Sequence, residues 1–468
     1  MYLKPFFVKG LAHISYLVGA GTQCAVIDPS RDVQVYIDEA KNMGFRITHI
    51  LETHLHADFI SGHLDLAEKT GAVIVGPKSG NMQFGHTAVS ENDEFFIQNL
   101  KFRVLETPGH TPEHLSYVVY DASRGEEPCS VFTGDTLFVG DAGRPDLFPG
   151  RADELTEKLY HSLEKLKNLP DFTEVYPAHG AGSLCGKAIS AKRSSTMGYE
   201  KKYNPTLQDM SIDEFKAKLL SGMPEAPDHF SRCSETNRQG PALLRELPSP
   251  VPFSPADFKK FYENNNSIIL DVRNFCAFCG GHIPGAINID IGSNFPTFAG
   301  WILPVGKPIL LITDCENDME KALTGLRQVG LDNVAGWLEG GIYNWNLNGY
   351  PIASIPQISV EKLKEDCVRQ KAFIIDVRSR REFDSYHLEK AVNIPVPELR
   401  TRYSEIKNEP IIVMCASGQR SAMAAGILRS AGIVNVVNVP GGITAWRAAG
   451  YTEKCPVDNI HGPGFFAE

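Results

Sequence analysis

Near the amino terminus of this 468-residue chain, four short stretches each finish in side chains that bind metals. "ITHILETHLHAD" ends in His54, His56 and Asp58, "KFRVLETPGHTPEH" carries His110, "SVFTGDTLF" carries Asp135, and "EVYPAHG" carries His179. Each follows an apolar, strand-like run, and ligands on loops held at a rigid sheet edge are well placed to fix a cation. Singly, any of them would serve equally well to cap a strand or to hydrogen-bond in a core. Together, and in this order, they point to a metal centre. The residue after Asp58 is Phe59, which ligates nothing, so the run H-x-H-x-D stops there. Cys185 follows His179 by six residues and is a candidate auxiliary thiol that holds or relays sulfur; a buried, inert cysteine accounts for it as well.

A second chemistry lies toward the other end. "EPIIVMCASGQRSAMAAGILRSAG" (409–432) reads as an apolar strand, a loop opening with Cys415, and a helix. Ala416, Ser417 and Gly418 are small enough for a tight turn that points backbone N–H groups at the cysteine sulfur. Arg420 and the N-terminus of the following helix add positive potential. Such a loop favours an anionic sulfur and can hold a persulfide, Cys–S–S⁻. A Cys-x5-Arg loop would suit phosphate; here only four residues separate Cys415 from Arg420.

The chain repeats itself around that loop. "SIILDVRNFCAFCGGHIPGAINI" (267–289) parallels "AFIIDVRSRREFDSYHLEKAVNI" (372–394), with Asp271 and His282 falling on Asp376 and His387. "LEGGIYNWNLNGY" (338–350) parallels "VPGGITAWRAAGY" (439–451). Each copy alternates apolar strands with helical stretches, the pattern of a small α/β domain with a parallel sheet. Matching Gly330 to Gly432 puts the catalytic position of the first copy on Thr313, in "TDCENDME", a loop with four acidic residues and neither glycine nor arginine. Negative charge disfavours a thiolate and repels an anionic persulfide, so this copy is expected to be inactive and Cys315 is not expected to act. Cys276 and Cys279 form a C-x-x-C. Without a second such pair zinc is disfavoured, and packing is their expected role.

Length and composition set the frame. At 468 residues, 43% apolar and 22% charged, the chain is a globular protein of several domains. A formal charge of −10 argues against a nucleic-acid partner. The opening "MYLKPFFVKGLAHISYLVGAG" is interrupted by Lys4, Lys9 and His13, too often for a signal sequence or membrane span, and is expected to be a strand pair. Ten scattered cysteines lack the spacing of a disulfide scaffold, which points to a reducing cytoplasm. The Pro- and Ser-rich run 221–255 is expected to be a linker or wrapping segment. The expected layout is a β-rich domain with its linker over 1–245, an inactive repeat over 246–353, an active repeat over 354–458 and a tail over 459–468.

On these motifs, residues 1 to about 245 resemble the metallo-β-lactamase superfamily, an αββα sandwich, and within it the persulfide dioxygenases. "CASGQRS", with "DVRSRREF" upstream and "VPGGITAW" downstream, resembles the rhodanese sulfurtransferases. The whole chain is thus similar to an α/β multidomain fusion of a persulfide dioxygenase with two tandem rhodanese-like domains. Dinuclear hydrolases of the superfamily extend the first motif to H-x-H-x-D-H, and its last histidine binds a second metal; Phe59 stands at that position. The persulfide dioxygenases hold one iron with the first histidine of this motif, the histidine of "TPGHT" and the aspartate of "TGDTLF". The resemblance therefore implies one Fe(2+) on His54, His110 and Asp135, with positions open for substrate and oxygen. His56, Asp58 and His179 would stand behind them, orienting ligands and bound water. Arg144, in the family's G-R-x-D stretch, would either clamp a carboxylate of a low-molecular-weight thiol persulfide or pair with Asp146.

At the other end, Cys415 and Arg420 would be catalytic, with Ser417 and Gly418 binding the sulfur substrate. The implied function is oxidation of a thiol persulfide by O2 to sulfite and thiol, coupled to sulfur transfer that forms or uses thiosulfate, in sulfide detoxification. The implied partners are the persulfide, O2 and sulfite or thiosulfate, with neither nucleic acid nor membrane, and a homo-oligomer is expected. Two other readings stay open: a dinuclear zinc thioester hydrolase of the glyoxalase II type fused to a sulfurtransferase, and a non-enzymatic persulfide carrier.

Overall fold

A computed structural model describes residues 1–223, 225–369, 373–406 and 410–452. The expected tail, 459–468, and the last residues of the expected active repeat lie outside the described residues. The chain forms two compact units, Met1–Leu247 with Thr324–Gly330, and the remainder from Pro248 on.

The first unit is built on two six-stranded sheets. One runs, in spatial order, through Tyr2–Val8, His13–Ala20, Gln23–Ile27, Arg46–Leu51, Val73–Pro77 and Thr87–Val89. The other runs through Ser195–Thr196, Glu174–Pro177, Pro128–Gly134, Leu115–Asp121, Leu100–Glu106 and Glu94–Ile97. The apolar opening pairs antiparallel with the strand after it, as its interrupted hydrophobicity predicts. Side chains alternate across a strand with period two, and "LSYVVYD" (115–121) uses both faces. Leu115, Tyr117 and Val119 join Ile14, Tyr16, Val18 and Phe132 between the sheets. Val118 and Tyr120 point outward, into a layer with Leu159, Leu163 and Leu166 of the helix Ala152–Lys167. On the outer face of the first sheet, Tyr36 and Ala40 of one helix and Leu66 of another pack on Leu17, Val26 and Ile50. The result is an αββα sandwich. Among the described residues no helix is long and apolar enough to cross a membrane.

The run 221–255, expected to be a linker or wrapping segment, contains the helix His229–Gln239, with Phe230, Cys233 and Asn237 buried. The Asn237 amide donates to the carbonyls of His56 and Phe59 at 2.8 Å each and accepts from the Ser61 N–H at 2.9 Å. Its inward positions are one turn apart, so a stretch of polar composition still presents one packed stripe.

The second unit holds the two repeats, apart from Thr324–Gly330. The first has a parallel sheet ordered Val251–Phe253, Val334–Leu338, Ile309–Ile312, Ile268–Asp271, Ile287–Asn288. The second is ordered Val392–Asn393, Phe373–Asp376, Ile411–Met414, Val436–Asn438. The repetition extends to individual atoms. Arg273 and Arg378 each reach their own Asp271 or Asp376 at 2.6 Å. Asn288 and Asn393 each donate to the carbonyl of that aspartate at 2.9 Å. His282 and His387 each donate through Nδ1 to Phe278 or Phe383 at 2.8 Å.

Candidate metal centre and sulfur-transfer loop

The four ligand-bearing stretches leave neighbouring strand ends on one edge of the sandwich. His54 follows Arg46–Leu51, His110 follows Leu100–Glu106, Asp135 follows Pro128–Gly134, and His179 follows Glu174–Pro177. The loop after Asp135 folds back so closely that a Cβ on Gly143 would lie 1.9 Å from the Asp135 carbonyl oxygen, so that position admits only glycine. His54, His110 and Asp135 are all fully buried, with one ligand atom from each lying within 4.8 Å of the others.

The free atoms of this trio are selected by partners at their backs. Thr53 Oγ1 donates to Asp28 Oδ2 at 2.9 Å, so it must accept from His54 Nδ1 at 2.8 Å. His110 Nδ1 can only donate to the Arg144 carbonyl, at 2.9 Å. Both rings therefore carry their proton on Nδ1 and present Nε2 as a lone pair, the tautomer a metal needs. On Asp135, Oδ1 accepts from His179 Nδ1 at 2.7 Å. What remains is His54 Nε2, His110 Nε2 and Asp135 Oδ2: three buried atoms with no hydrogen-bond partner, at 3.9 and 3.3 Å from the carboxylate oxygen to the two rings. Burial holds His54 and His110 below the ordinary imidazole range. It would raise Asp135, but the facing His179 outweighs it and holds the carboxyl well below its ordinary range. Neutral imidazoles beside an ionised carboxylate are in the protonation state that binds a cation. The donor set, the orphaned atoms and the charges fit a metal ion.

His179 lies between two carboxylates, with Nε2 2.8 Å from Asp58 Oδ2 and Nδ1 on Asp135. Burial alone would lower it; Asp135 and Asp58 overcome that and hold it well above the ordinary range, as an imidazolium. His56 turns away from the trio, its Nε2 3.2 Å from Asp28 Oδ1 and 3.7 Å from Glu52 Oε2. Phe59 is fully buried, its ring 4.4 Å from that of His56 and 4.1 Å from that of His13. Cys185 is buried within 4.8 Å of Asp58 and His179, and burial together with Asp58 and Asp135 pushes its thiol well up, so it stays neutral. Arg144 is buried and forks onto Asp146 at 2.7 and 2.8 Å, the ion-pair geometry of the two expected for it.

Several groups that shape this site were not singled out in the sequence. Asp28 takes a left-handed backbone (φ 52°), which aspartate tolerates, to reach the Thr53 N–H and hydroxyl. His114 accepts the Asp135 N–H at 2.9 Å and stacks on His54 at 4.8 Å. It lies in the quoted "TPGHTPEH", four residues after His110, and that spacing was its signal. Thr53 carries no motif signature. Replacing it with valine should weaken metal binding about 10–100-fold by freeing the His54 ring. Metal retention against a graded chelator measures this, and unchanged retention would exclude an orienting role for the hydroxyl.

In the second repeat the loop after Ile411–Met414 wraps Cys415. The Gly418 N–H donates to Cys415 Sγ at 3.0 Å, and the Ser421 hydroxyl lies 3.4 Å from it. Gly418 has φ 106°, a conformation that other residues resist, and this aims its N–H at the sulfur. Ser417 anchors the loop through its carbonyl, which accepts the Gly441 N–H at 3.0 Å. Arg420 forks onto Glu382 at 2.7 Å twice, a partner the sequence reading did not include. Burial would raise Glu382, but Arg420 overrides it and brings the carboxyl down to about 2. The loop's cation is therefore charge-compensated, and among the described residues the direct donors to Cys415 Sγ are a backbone amide and a hydroxyl. In the first repeat, the corresponding Thr313 is buried and Cys315 is exposed.

Comparison with known proteins gives matches to both halves. Residues 8–179 match the metallo-beta-lactamase superfamily, and residues 254–348 and 359–449 each match the rhodanese-like domain. A curated relative, hydroxyacylglutathione hydrolase from Pseudomonas entomophila (strain L48), is 36% identical over 160 residues, 34% of this chain and 58% of the relative. This chain thus spans little more than half the length of that relative. A crystal structure of a metallo-beta-lactamase from Staphylococcus aureus subsp. aureus COL is 37% identical with a TM-score of 0.64, covering 72% of this chain and 98% of that one. A structure of ETHE1 from Myxococcus xanthus is 30% identical with a TM-score of 0.45, covering 51% of this chain and 98% of that one.

Proposed function

The chain belongs to the metallo-beta-lactamase superfamily and carries two rhodanese-like domains, and on that basis we propose that it is an iron persulfide dioxygenase joined to a sulfurtransferase. The observation that carries this reading is the set of three orphaned atoms on His54, His110 and Asp135, a two-histidine, one-carboxylate set that leaves positions open. Fe(2+) held there would supply the redox chemistry with O2 that no side chain provides.

The chain's own residues do the rest. Thr53 and the Arg144 carbonyl hold the two rings in the ligating tautomer. His179 fixes Asp135 through one oxygen and leaves the other free, while its positive charge keeps the carboxylate ionised. Asp58 bonds this imidazolium through Oδ2, and its buried Oδ1, without a hydrogen-bond partner, is an acceptor for a bound water or thiol. Cys185 remains a neutral thiol beside them. Overall, R–S–SH, O2 and water give R–SH, sulfite and two protons, and the outer sulfur loses the four electrons that O2 gains. At Cys415, Cys–S–S⁻ and sulfite exchange to Cys–S⁻ and thiosulfate, or the reverse, with the Gly418 N–H and Ser421 hydroxyl facing the sulfur.

One observation favours a second reading, a dinuclear zinc thioester hydrolase: Asp58, His179 and Cys185 form another cluster of metal-ligand type, and the relative cited above is a hydroxyacylglutathione hydrolase. Against it, both His179 nitrogens bond carboxylates and Phe59 supplies no ligand. Metal content together with O2 uptake on adding glutathione persulfide decides between them. One iron per chain, with O2 consumed and sulfite formed in equal amounts, supports the dioxygenase. Two zincs with thioester cleavage and no O2 uptake would sink it.

A further inference from the structure

Cys276 and Cys279 take no part in either chemistry above, yet the fold sets the short helix that carries them against the helix that follows Cys415. Apart from Thr324–Gly330, both repeats lie in one compact unit. The short helix Phe275–Gly280 of the first repeat packs on the helix Gln419–Ser430 that follows Cys415 in the second. A Cβ on Gly426 would meet the Phe278 ring at 3.3 Å, and one on Gly418 would meet the Phe275 ring at 3.0 Å. Asn438 connects the two elements: its amide nitrogen lies 3.9 Å from Cys279 Sγ and 3.4 Å from the Gly418 carbonyl oxygen. The N–H of that same Gly418 is 3.0 Å from Cys415 Sγ.

The pair has the form of a reactive dithiol. Both cysteines are free, Cys279 is buried and Cys276 is exposed. Three residues apart on one helix, they are one turn from each other. The equivalent positions of the second repeat are Arg381 and Asp384, so the fold itself does not call for sulfur there. Packing, the expected role, gives no reason for an exposed Cys276. Burial, with Cys276 beside it, pushes the Cys279 thiol up to about 12, which makes Cys276 the attacking thiol and Cys279 the resolving one.

We propose that Cys276 and Cys279 form a dithiol that strips sulfane sulfur from Cys415 and releases it as sulfide. The step rests on the reading of Cys415 as a persulfide carrier. The Cys276 thiolate attacks the outer sulfur of Cys415–S–SH; a Cys276 Sγ–S bond forms, the Cys415 Sγ–S bond breaks, and Cys415 leaves as a thiolate that takes up the proton lost from Cys276. Cys279 then attacks Cys276 Sγ, forming the Cys276–Cys279 disulfide and expelling HS⁻, which leaves as hydrogen sulfide with the Cys279 proton. The two thiols lose two electrons and the sulfane sulfur gains them, so a single turnover needs no other reductant. The inactive repeat then becomes the reducing half of the sulfur-transfer site.

The test uses the full chain, reduced, freed of reductant and mixed anaerobically with thiosulfate. Release of sulfite reports loading of Cys415. Wild type should then release about one sulfide per loaded Cys415 and show the Cys276–Cys279 disulfide by peptide mass spectrometry. Cys276→Ser should release sulfite normally, yield at least about tenfold less sulfide, and keep the persulfide on Cys415. Cys279→Ala should move the extra sulfur to Cys276 and hold it there. Cys276 is exposed, so its serine variant keeps the test open even if the buried Cys279 variant fails to fold. Sulfite release with the persulfide retained on Cys415 and both cysteines still reduced in wild type overturns the proposal. No sulfite release and no persulfide on Cys415 overturns the sulfur-transfer reading, and the proposal with it.

Discussion

Asp135→Ala is expected to empty the metal centre and abolish persulfide-dependent O2 uptake, while sulfur transfer from thiosulfate at Cys415 continues at the wild-type rate. Asp135 does two jobs with its two oxygens. Oδ2 is one of the three atoms left for the metal, and Oδ1 holds His179. Removing the carboxylate therefore takes away a ligand and also half of the charge that keeps His179 an imidazolium. The loss in metal affinity should exceed the ~10–100-fold that removal of an outer partner costs. The metal-free protein also suffers, because a buried cation loses one of its two partners, a change worth roughly 3–5 kcal/mol when a buried pair is broken. Metal analysis, O2 uptake and thermal unfolding of the same preparation separate these effects. Full metal occupancy in Asp135→Ala would show that the trio is not the binding site.

Cys415→Ser is expected to have the opposite pattern. Serine nearly preserves the volume of a side chain that is 1% exposed, so the loop should keep its shape. Its hydroxyl, however, cannot carry sulfane sulfur, and thiosulfate formation and consumption should fall on the order of 10⁴-fold or more, as when other covalent nucleophiles are removed. O2 uptake with glutathione persulfide should stay within about twofold of wild type, since nothing about the metal trio changes. Equal loss of both activities would refute two separable sites. The two variants together form a crossed pair in which each abolishes one activity and spares the other.

Much of this was legible in the chain because it depends on local pattern. A strand ending in a histidine or aspartate puts that residue at a sheet edge whatever the rest of the fold does, and His54, His110, Asp135 and His179 were visible on that ground. The repeat was visible because two copies of one fold need the same core and the same buried Asp–Arg and Asn contacts, and those residues recur at fixed spacing. The run 221–255 was legible only as a linker or wrapping segment, because composition averages over both faces of a helix, whereas Asn237 and Phe230 act from one face.

What tertiary structure alone decided is which atom of each residue is free. Whether His54 offers Nε2 depends on Thr53 and, through it, on Asp28, 25 residues away from Thr53. His110 depends on a carbonyl 34 residues away, and Asp135 on a histidine 44 residues away. His56 shows the reverse outcome: the same motif supplies it, but Asp28 and Glu52 draw it off the trio. Glu382 likewise claims Arg420 from 38 residues away, and the helix carrying Cys276 and Cys279 meets the helix after Cys415 only because one repeat packs on the other. Sequence by itself determined which ligands and thiols exist and on which kind of element they sit, since those follow from residue type and short-range periodicity. Tautomer, charge and the partner each group faces were settled by long-range packing, because a buried polar atom takes its state from whichever distant group the fold brings within hydrogen-bond reach.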